Sequence, residues 1–411
     1  MKNLRLDAAW LGDPPLGDLI AVLDRDGEEA RVVGGAVRNT LLGEPHGDID
    51  IATTALPSEV IRRTRAAGFK AVPTGIEHGT VTVIAAGQPF EVTTLREDVE
   101  TYGRHAKVMF GRDWRRDAER RDFTMNALSA ARDGTIHDYV GGVEDIAARH
   151  VRFIGDAATR IAEDYLRILR FFRFHAAYGE GPPDPEGVAA CIGGRAGLGE
   201  LSRERVRMEL IKLIAARHAV PALAAMTEAG LLDRVLGGVP LLASCANLIK
   251  LEAVLALAPD PIRRLGALAV FVPEDAERMR DRLRLANAEY DRLASIADGW
   301  WHVSQRGGER GGRALLYRLG PERFTDRVLV AWARSPEGAA DQSWHALATL
   351  PARWSASAFP LKAADLLARG VPKGPRLGAA LRAAEDAWIA ADFPSDAAAV
   401  AAIADAAVRA G

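Results

Sequence analysis

Between Arg31 and Thr53 the chain reads as a strand, a glycine turn, a short helix and a second strand. Arg31-Val32-Val33 is a β-rich run that stops at Gly34-Gly35. Ala36 to Leu42 reads as helix and ends at Gly43, and Asp48-Ile49-Asp50-Ile51-Ala52-Thr53 alternates polar with apolar as a half-buried strand does. A segment with both periodicities demands a sheet with helices packed against it. Around it, residues 16–27 read as a short helix closing at Asp26-Gly27. Pro57 and Ser58 open another helix that runs to about Ala67. Strands fit Thr80–Ala85 and Phe90–Thr94, joined by a turn at Gly87. This α/β region with mixed strands ends near Gly142. From about Asp156 the pattern is helical almost throughout, with turns at 182–185 and around Gly193–Gly199. The alanine-rich stretch from 373 onward predicts a pair of packed helices, because alanine is the strongest helix former.

The length of 411 residues suggests two to four domains. With 53 basic and 55 acidic residues the surface is not uniformly positive, although a basic face can still bind RNA. Cys191 and Cys245 are the only cysteines and stand far from any second ligand, which argues against a disulfide scaffold or zinc site and fits a reducing cytoplasm. The first twenty residues lack the pattern of a signal peptide. No apolar run of about eighteen residues appears, so no membrane contact is expected, and nothing points to an obligate protein partner.

Asp48 and Asp50 are alternate residues of a strand and so share a face, while Ile49 and Ile51 face a core. Two adjacent carboxylates repel unless a cation lies between them. Mg²⁺ is suited to this, being held by one or two carboxylates plus substrate phosphates. Taken alone, the pair also fits two solvated acids on an edge strand; the surroundings favour a site. Gly34-Gly35 lets the backbone approach a phosphate, the helix after it directs amides at an anion, and Arg38 follows one turn later. The spacing fits neither a P-loop nor a dinucleotide fingerprint. Glu91, on a later strand, is the candidate third carboxylate; it also reads as an edge-strand acid.

Further along, Arg120 and Arg121 precede an apolar strand-like run and offer forks for phosphate oxygens, or a surface ion pair with Asp117 or Asp122. Projected as one helix of about 3.6 residues per turn, residues 159–178 place Glu163, Asp164, Arg167 and Arg170 on one edge, with Ile161, Ile168, Leu169 and Phe172 opposite. Asp164 supplies acceptors and Arg167 donors, a pair able to read a base or to form a plain i,i+3 ion pair. Arg104, His105, Lys107, Arg112, Arg115 and Arg116 have little periodicity and predict a mobile charged loop. His105 has no evident partner as a general base.

Four blocks carry a resemblance. They are Gly34-Gly35-Ala36-Val37-Arg38 with Leu41-Leu42-Gly43, Asp48-Ile49-Asp50 and Thr53; Arg120-Arg121-Asp122-Phe123-Thr124-Met125-Asn126-Ala127-Leu128; Glu163-Asp164-Tyr165-Leu166-Arg167 continuing to Arg170 and Arg173-Phe174; and Leu201-Ser202 with Glu204-Arg205 and Glu209-Leu210. In this order they resemble the bacterial class II tRNA nucleotidyltransferase and poly(A) polymerase family, over residues 29–215.

The resemblance implies an α+β fold: a polymerase-beta-like nucleotidyltransferase α/β head with a mixed sheet, then an all-helical neck, body and tail. The expected divisions are 1–28 N-terminal helical segment, 29–150 catalytic head, 151–215 neck, 216–330 body and 331–411 tail. It implies addition of CCA to the 3′ end of tRNA from CTP and ATP, with Mg²⁺ as cofactor and the tRNA acceptor stem and elbow as partners. Asp48, Asp50 and Glu91 would be catalytic, with Asp48 and Asp50 as metal ligands. Gly34, Gly35, Arg38, Arg121, Asp122, Asn126, Asp164, Arg167, Arg170 and Arg173 would bind nucleotide, Asp164 and Arg167 selecting CTP or ATP. In-line attack of the RNA 3′-hydroxyl on the α-phosphorus would release pyrophosphate. A poly(A) polymerase, a partial CC- or A-adding enzyme and a non-catalytic RNA-binding protein remain the alternatives. Asn39 stands where the family usually has aspartate, which predicts weaker nucleotide binding if that acid orients Arg38. No His-Asp phosphohydrolase pattern appears in the C-terminal half, so the phosphatase activity of some relatives is not expected.

Overall fold

The computed structural model describes residues 4–102, 105–304, 307–355 and 357–410. The chain divides into two compact units, Met1–Gly237 and Gly238–Gly411.

The first unit holds all nine strands found among the described residues: β1 (Ala30–Val33), β2 (Asp50–Thr53), β3 (Lys70–Gly75), β4 (Thr80–Ala85), β5 (Gln88–Thr94), β6 (Arg96–Tyr102), β7 (His105–Phe110), β8 (Ser129–Ala130) and β9 (Ile136–His137). Seven form one mixed sheet in the order β3-β4-β5-β2-β1-β8-β9, and β2–β5 is its parallel pairing. Every residue of β1 is buried, as a central strand requires. The helices of this unit are α1 (Pro14–Leu23), α2 (Gly35–Leu41), α3 (Pro57–Ala66), α4 (Trp114–Glu119), α5 (Gly142–Ala147), α6 (Ala157–Glu163), α7 (Leu166–Tyr178), α8 (Pro185–Gly194), α9 (Arg203–Ala215), α10 (Ala219–Glu228) and α11 (Leu232–Leu236). Prolines in the first turns of α1 and α3 set φ at helix starts, where no amide partner is lost. Helix α1 packs on α3, β1 and β4, so the segment expected to stand apart at 1–28 belongs to the head.

Several sequence expectations need correction. Strand β2 begins at Asp50, and Asp48 lies in the bend before it. The alternation survives: Asp48 and Asp50 are exposed, Ile49 and Ile51 buried. Of the charged stretch expected to be a loop, His105 and Lys107 lie on β7, which pairs antiparallel with β6, Arg112 lies in the irregular segment after it, and Arg115 and Arg116 are on α4; Arg104 lies outside the described residues. The run after Arg121 is a 3₁₀ turn, Thr124–Asn126, rather than a strand. The single helix projected over 159–178 is two, α6 and α7, because Asp164 is extended (φ −157, ψ 107).

Every regular element described in the second unit is a helix: α12 (Leu242–Val254), α13 (Pro261–Ala269), α14 (Pro273–Leu283), α15 (Asn287–Gly299), α16 (Gly308–Arg334), α17 (Gln342–Ala348), α18 (Leu350–Arg353), α19 (Ala363–Leu367), α20 (Pro375–Ala390) and α21 (Ala397–Ala410), with one 3₁₀ turn at Trp300–His302. Helix α16 breaks direction at Gly320 (φ 74, ψ 167), next to Pro321, and runs through residue 330, where a domain boundary was expected. Asp326 is fully buried on α16 and accepts from Arg263 Nε at 2.9 Å and Arg292 Nε at 2.7 Å, joining α13, α15 and α16. The alanine-rich tail folds as expected: α20 and α21 pack together, burying Ala380, Ala384, Ala404 and Ala407 with Leu366.

Candidate active site

Three carboxylates meet at one end of the head sheet. Val33, the last residue of β1, pairs with Asp50, the first of β2, and Asp50 is in register with Glu91 of β5. Loss of water around Asp50, with the nearby charges of Glu91 and then Asp48, pushes its pKa above the ordinary aspartate value, while Arg121 pulls it down. Among the described residues none of the three makes an ion pair, and no preformed cluster of three or more metal-binding side chains occurs. Hard oxygen donors in mutual repulsion fit a divalent ion that completes its shell with water and phosphate.

Gly34 follows Val33 and caps α2 with φ 67, ψ −119, a backbone region that a side chain would strain. A Cβ there would stand 3.5 Å from Arg121 Nη1, so the guanidinium lies against open glycine backbone. Arg121 is steadied by Asp117, which accepts from Arg121 Nη2 at 3.2 Å and from Arg120 Nη2 at 2.6 Å. Burial opposes the charge on Asp117, but Arg120 and Arg121 more than offset it and hold its pKa below the ordinary value. The two arginines therefore share one buried carboxylate, Asp117, one of the two acids the sequence offered them as partners beside phosphate.

Arg38 departs from the expected role of reaching a triphosphate. It is 6% exposed and wholly engaged. Its guanidinium donates to Asn126 Oδ1, to Asn39 Oδ1 at 2.8 Å and to Tyr178 Oη at 2.8 Å, and stacks over the Tyr178 ring at 4.1 Å. Burial lowers its pKa. Asn126 in turn donates from Nδ2 to Asp122 Oδ1 at 3.2 Å. Asp122 accepts from Arg170 Nε at 2.7 Å, and Arg170 and Asn126 hold its pKa below the ordinary aspartate value against the loss of water around it. Glu209 of α9 receives both Arg173 and Arg170. A continuous polar chain thus runs from α2 through the 3₁₀ turn to α7 and α9.

Asp164 and Arg167 do not pair with each other. Asp164 accepts from Arg205 Nη2 at 2.6 Å and Nη1 at 3.2 Å, and from the Leu166 amide at 3.1 Å, which caps α7. Arg167 donates to Glu163 and to the Arg160 carbonyl at 2.7 Å. Asp164, Tyr165, Glu200, Ser202 and Arg205 line an open groove of about 370 Å³. Tyr165 needs the missing side chain of Gly197: a Cβ there would fall 2.2 Å from its ring. Sequence reasoning gave no role to Arg205, Tyr165 or Tyr178, whose partners lie far along the chain. The spacing of Asp117 from Arg120 and Arg121 was the one available signal.

Two family models match: one described as "Poly A polymerase head domain" over residues 30–152, and one described as "Probable RNA and SrmB- binding site of polymerase A" over 184–245. The human mitochondrial CCA tRNA nucleotidyltransferase 1 is 34% identical over 380 residues, covering 91% of this chain and 86% of the relative. A CCA-adding enzyme of Limosilactobacillus fermentum is 31% identical over 376 residues, covering 89% and 90%. The chain belongs to the CCA-adding tRNA nucleotidyltransferase family. The crystal structure of the Bacillus stearothermophilus CCA-adding enzyme in complex with CTP has a TM-score of 0.74 at 30% identity, covering 92% of this chain and 94% of that one. Nucleotidyltransferases of this kind generally use divalent metal ions.

Proposed function

We propose that the chain adds C, C and A, from CTP and ATP, to the 3′ end of tRNA with release of pyrophosphate. The observation that carries this reading is near full-length similarity to CCA-adding enzymes, joined to a sheet end where Asp48, Asp50 and Glu91 lie together without ion pairs. Asp48 and Asp50 would hold Mg²⁺, with Glu91 beside them. When bound, the ion supplies charge neutralisation at the triphosphate and acidifies the attacking 3′-hydroxyl. Arg121, braced by Asp117 and lying against Gly34, binds triphosphate oxygens over the Gly34-Gly35 backbone. Arg38 acts one layer back, fixing Asn126 and through it Asp122. At the other end Asp164 and Arg167 present acceptors and donors to the base, while Asp122 and Glu209 orient Arg170 and Arg173. Arg205 releases an Asp164 oxygen when a base takes its place. The helices of the second unit bind the acceptor stem and elbow through phosphates and shape. Free, buried Cys191 and Cys245 support a reducing, cytoplasmic location.

The test is incubation with CTP, ATP and tRNA lacking its 3′ end, followed by sizing and sequencing. Addition that stops after CCA is the expected result. A long adenosine ladder means a poly(A) polymerase, arrest after CC or dependence on a CC end means a partial enzyme, and no extension means a binding protein.

A further inference from the structure

Asn39 stands between a donor and an acceptor, and its surroundings require an amide. On one side its Oδ1 accepts from Arg38 Nε at 3.1 Å and Nη2 at 2.8 Å. On the other its Nδ2 donates to the Pro45 carbonyl at 2.8 Å. The orientation follows from chemistry: a guanidinium only donates and a carbonyl only accepts, so oxygen must face Arg38 and nitrogen must face Pro45. An ionised aspartate fits the same volume but has no donor, and would set an anionic oxygen against the Pro45 carbonyl. The Asn39 main chain grips the same loop, its carbonyl accepting from Leu42 N at 3.1 Å and Glu44 N at 2.8 Å. Pro45 lies just before His46, whose ring packs 5.2 Å from that of Trp10, and Gly47 (φ 67), which leads directly into Asp48.

We propose that Asn39 is a positioning residue for the metal-binding carboxylate Asp48, tying the loop that delivers it to the Arg38 guanidinium. The inference rests on the reading of Asp48 and Asp50 as metal ligands. A second consequence concerns charge. The direct hydrogen-bond partners of Arg38 (Asn39, Asn126 and Tyr178) are all neutral, and the acid that acts on its charge, Asp122, does so from behind Asn126. Aspartate at 39 would add a second opposing charge and release the loop together.

The experiment measures Mn²⁺ binding to the full chain by electron paramagnetic resonance, without nucleotide, alongside steady-state kinetics. The proteins are wild type, Asn39→Asp, Asn39→Ala and Asp50→Ala, with thermal melts to follow folding. Loss of one such hydrogen bond corresponds to about a fivefold to tenfold change. Asn39→Asp should weaken Mn²⁺ binding and lower kcat by that factor while KM for the nucleotide moves less than about twofold, since the Arg38 contact is kept. Asn39→Ala should weaken metal binding and also raise KM. Wild-type Mn²⁺ affinity in Asn39→Asp, or a change in KM alone, overturns the proposal; if that variant unfolds, wild-type affinity in Asn39→Ala does the same. Mn²⁺ bound as tightly by Asp50→Ala as by wild type overturns the metal reading itself, and this inference with it.

Discussion

The two ends of the site handle their acids in opposite ways. At the sheet end Asp50 lies near Glu91 and Asp48 without an ion pair, and its pKa rises although Arg121 pulls against the shift. At the helical end each acid is claimed: Asp164 by Arg205, Asp122 by Arg170, Glu209 by Arg173. The difference is one of purpose. Unpaired acids store a charge deficit that only an incoming cation can fill, so they act once an ion arrives. Paired acids are held in one geometry and can trade a protein partner for a ligand of matching hydrogen bonds. The first arrangement suits chemistry and the second suits choice.

The strongest way to break this contrast is Asp50→Asn. It should lower nucleotide incorporation by ~10³-fold or more, in line with loss of a charge that stabilises a transition state. The melting temperature should stay level or rise, because a repulsion is removed; a destabilised protein would instead make Asp50 structural. Next, Glu91→Gln should reduce turnover about 10²-fold with little change in stability. A drop of less than about threefold in a turnover assay would make Glu91 a bystander whose charge only perturbs Asp50.

The same contrast has a stability side at Asp117. Asp117→Asn leaves Arg120 and Arg121 without their buried counter-charge and should cost about 3 kcal/mol in urea unfolding at neutral pH. The sign of the pH dependence follows from the depressed pKa. The contribution of Asp117 is fully present above its unfolded value of about 3.9 and is lost as pH falls through its lower folded value. The gap between wild type and variant should therefore close in acid; a gap that persists there would assign the effect to packing. Smallest in rate is Arg205→Ala, expected to lower kcat/KM about tenfold while narrowing the preference for CTP and ATP over UTP and GTP. Unchanged selectivity in a competition assay would mean that Arg205 only supports the end of α7.

The sheet end was largely legible in the sequence, because strand alternation, a glycine turn and paired acids are all local signals. Even there, β3 went unseen: it carries Pro73, which argues against a strand, and is tolerated because β3 is the sheet's edge. The pair β6–β7 was hidden by its charges, since strand periodicity needs an apolar face to show. The helical end was only half legible. Apolar spacing continues across residues 159–178, so nothing local marks the break at Asp164, which is set by Arg205 in α9 and by Tyr165 lying over Gly197. The role of Arg38 misled for a similar reason. Its position suggested reach, but Asn126 and Tyr178, far along the chain, enclose it.

The parallel pairing of β2 with β5 has an outcome for synthesis. Antiparallel neighbours join by a short turn, but a parallel pair must wait for everything between them; here that is α3, β3 and β4. Arg121 emerges later still. A ribosome-bound fragment ending before this point carries Asp48 and Asp50 but not the assembled site, so an incomplete chain cannot act on RNA. Because such long-range closure is slow, catalytic competence arrives as a late event and reports that the whole head has folded.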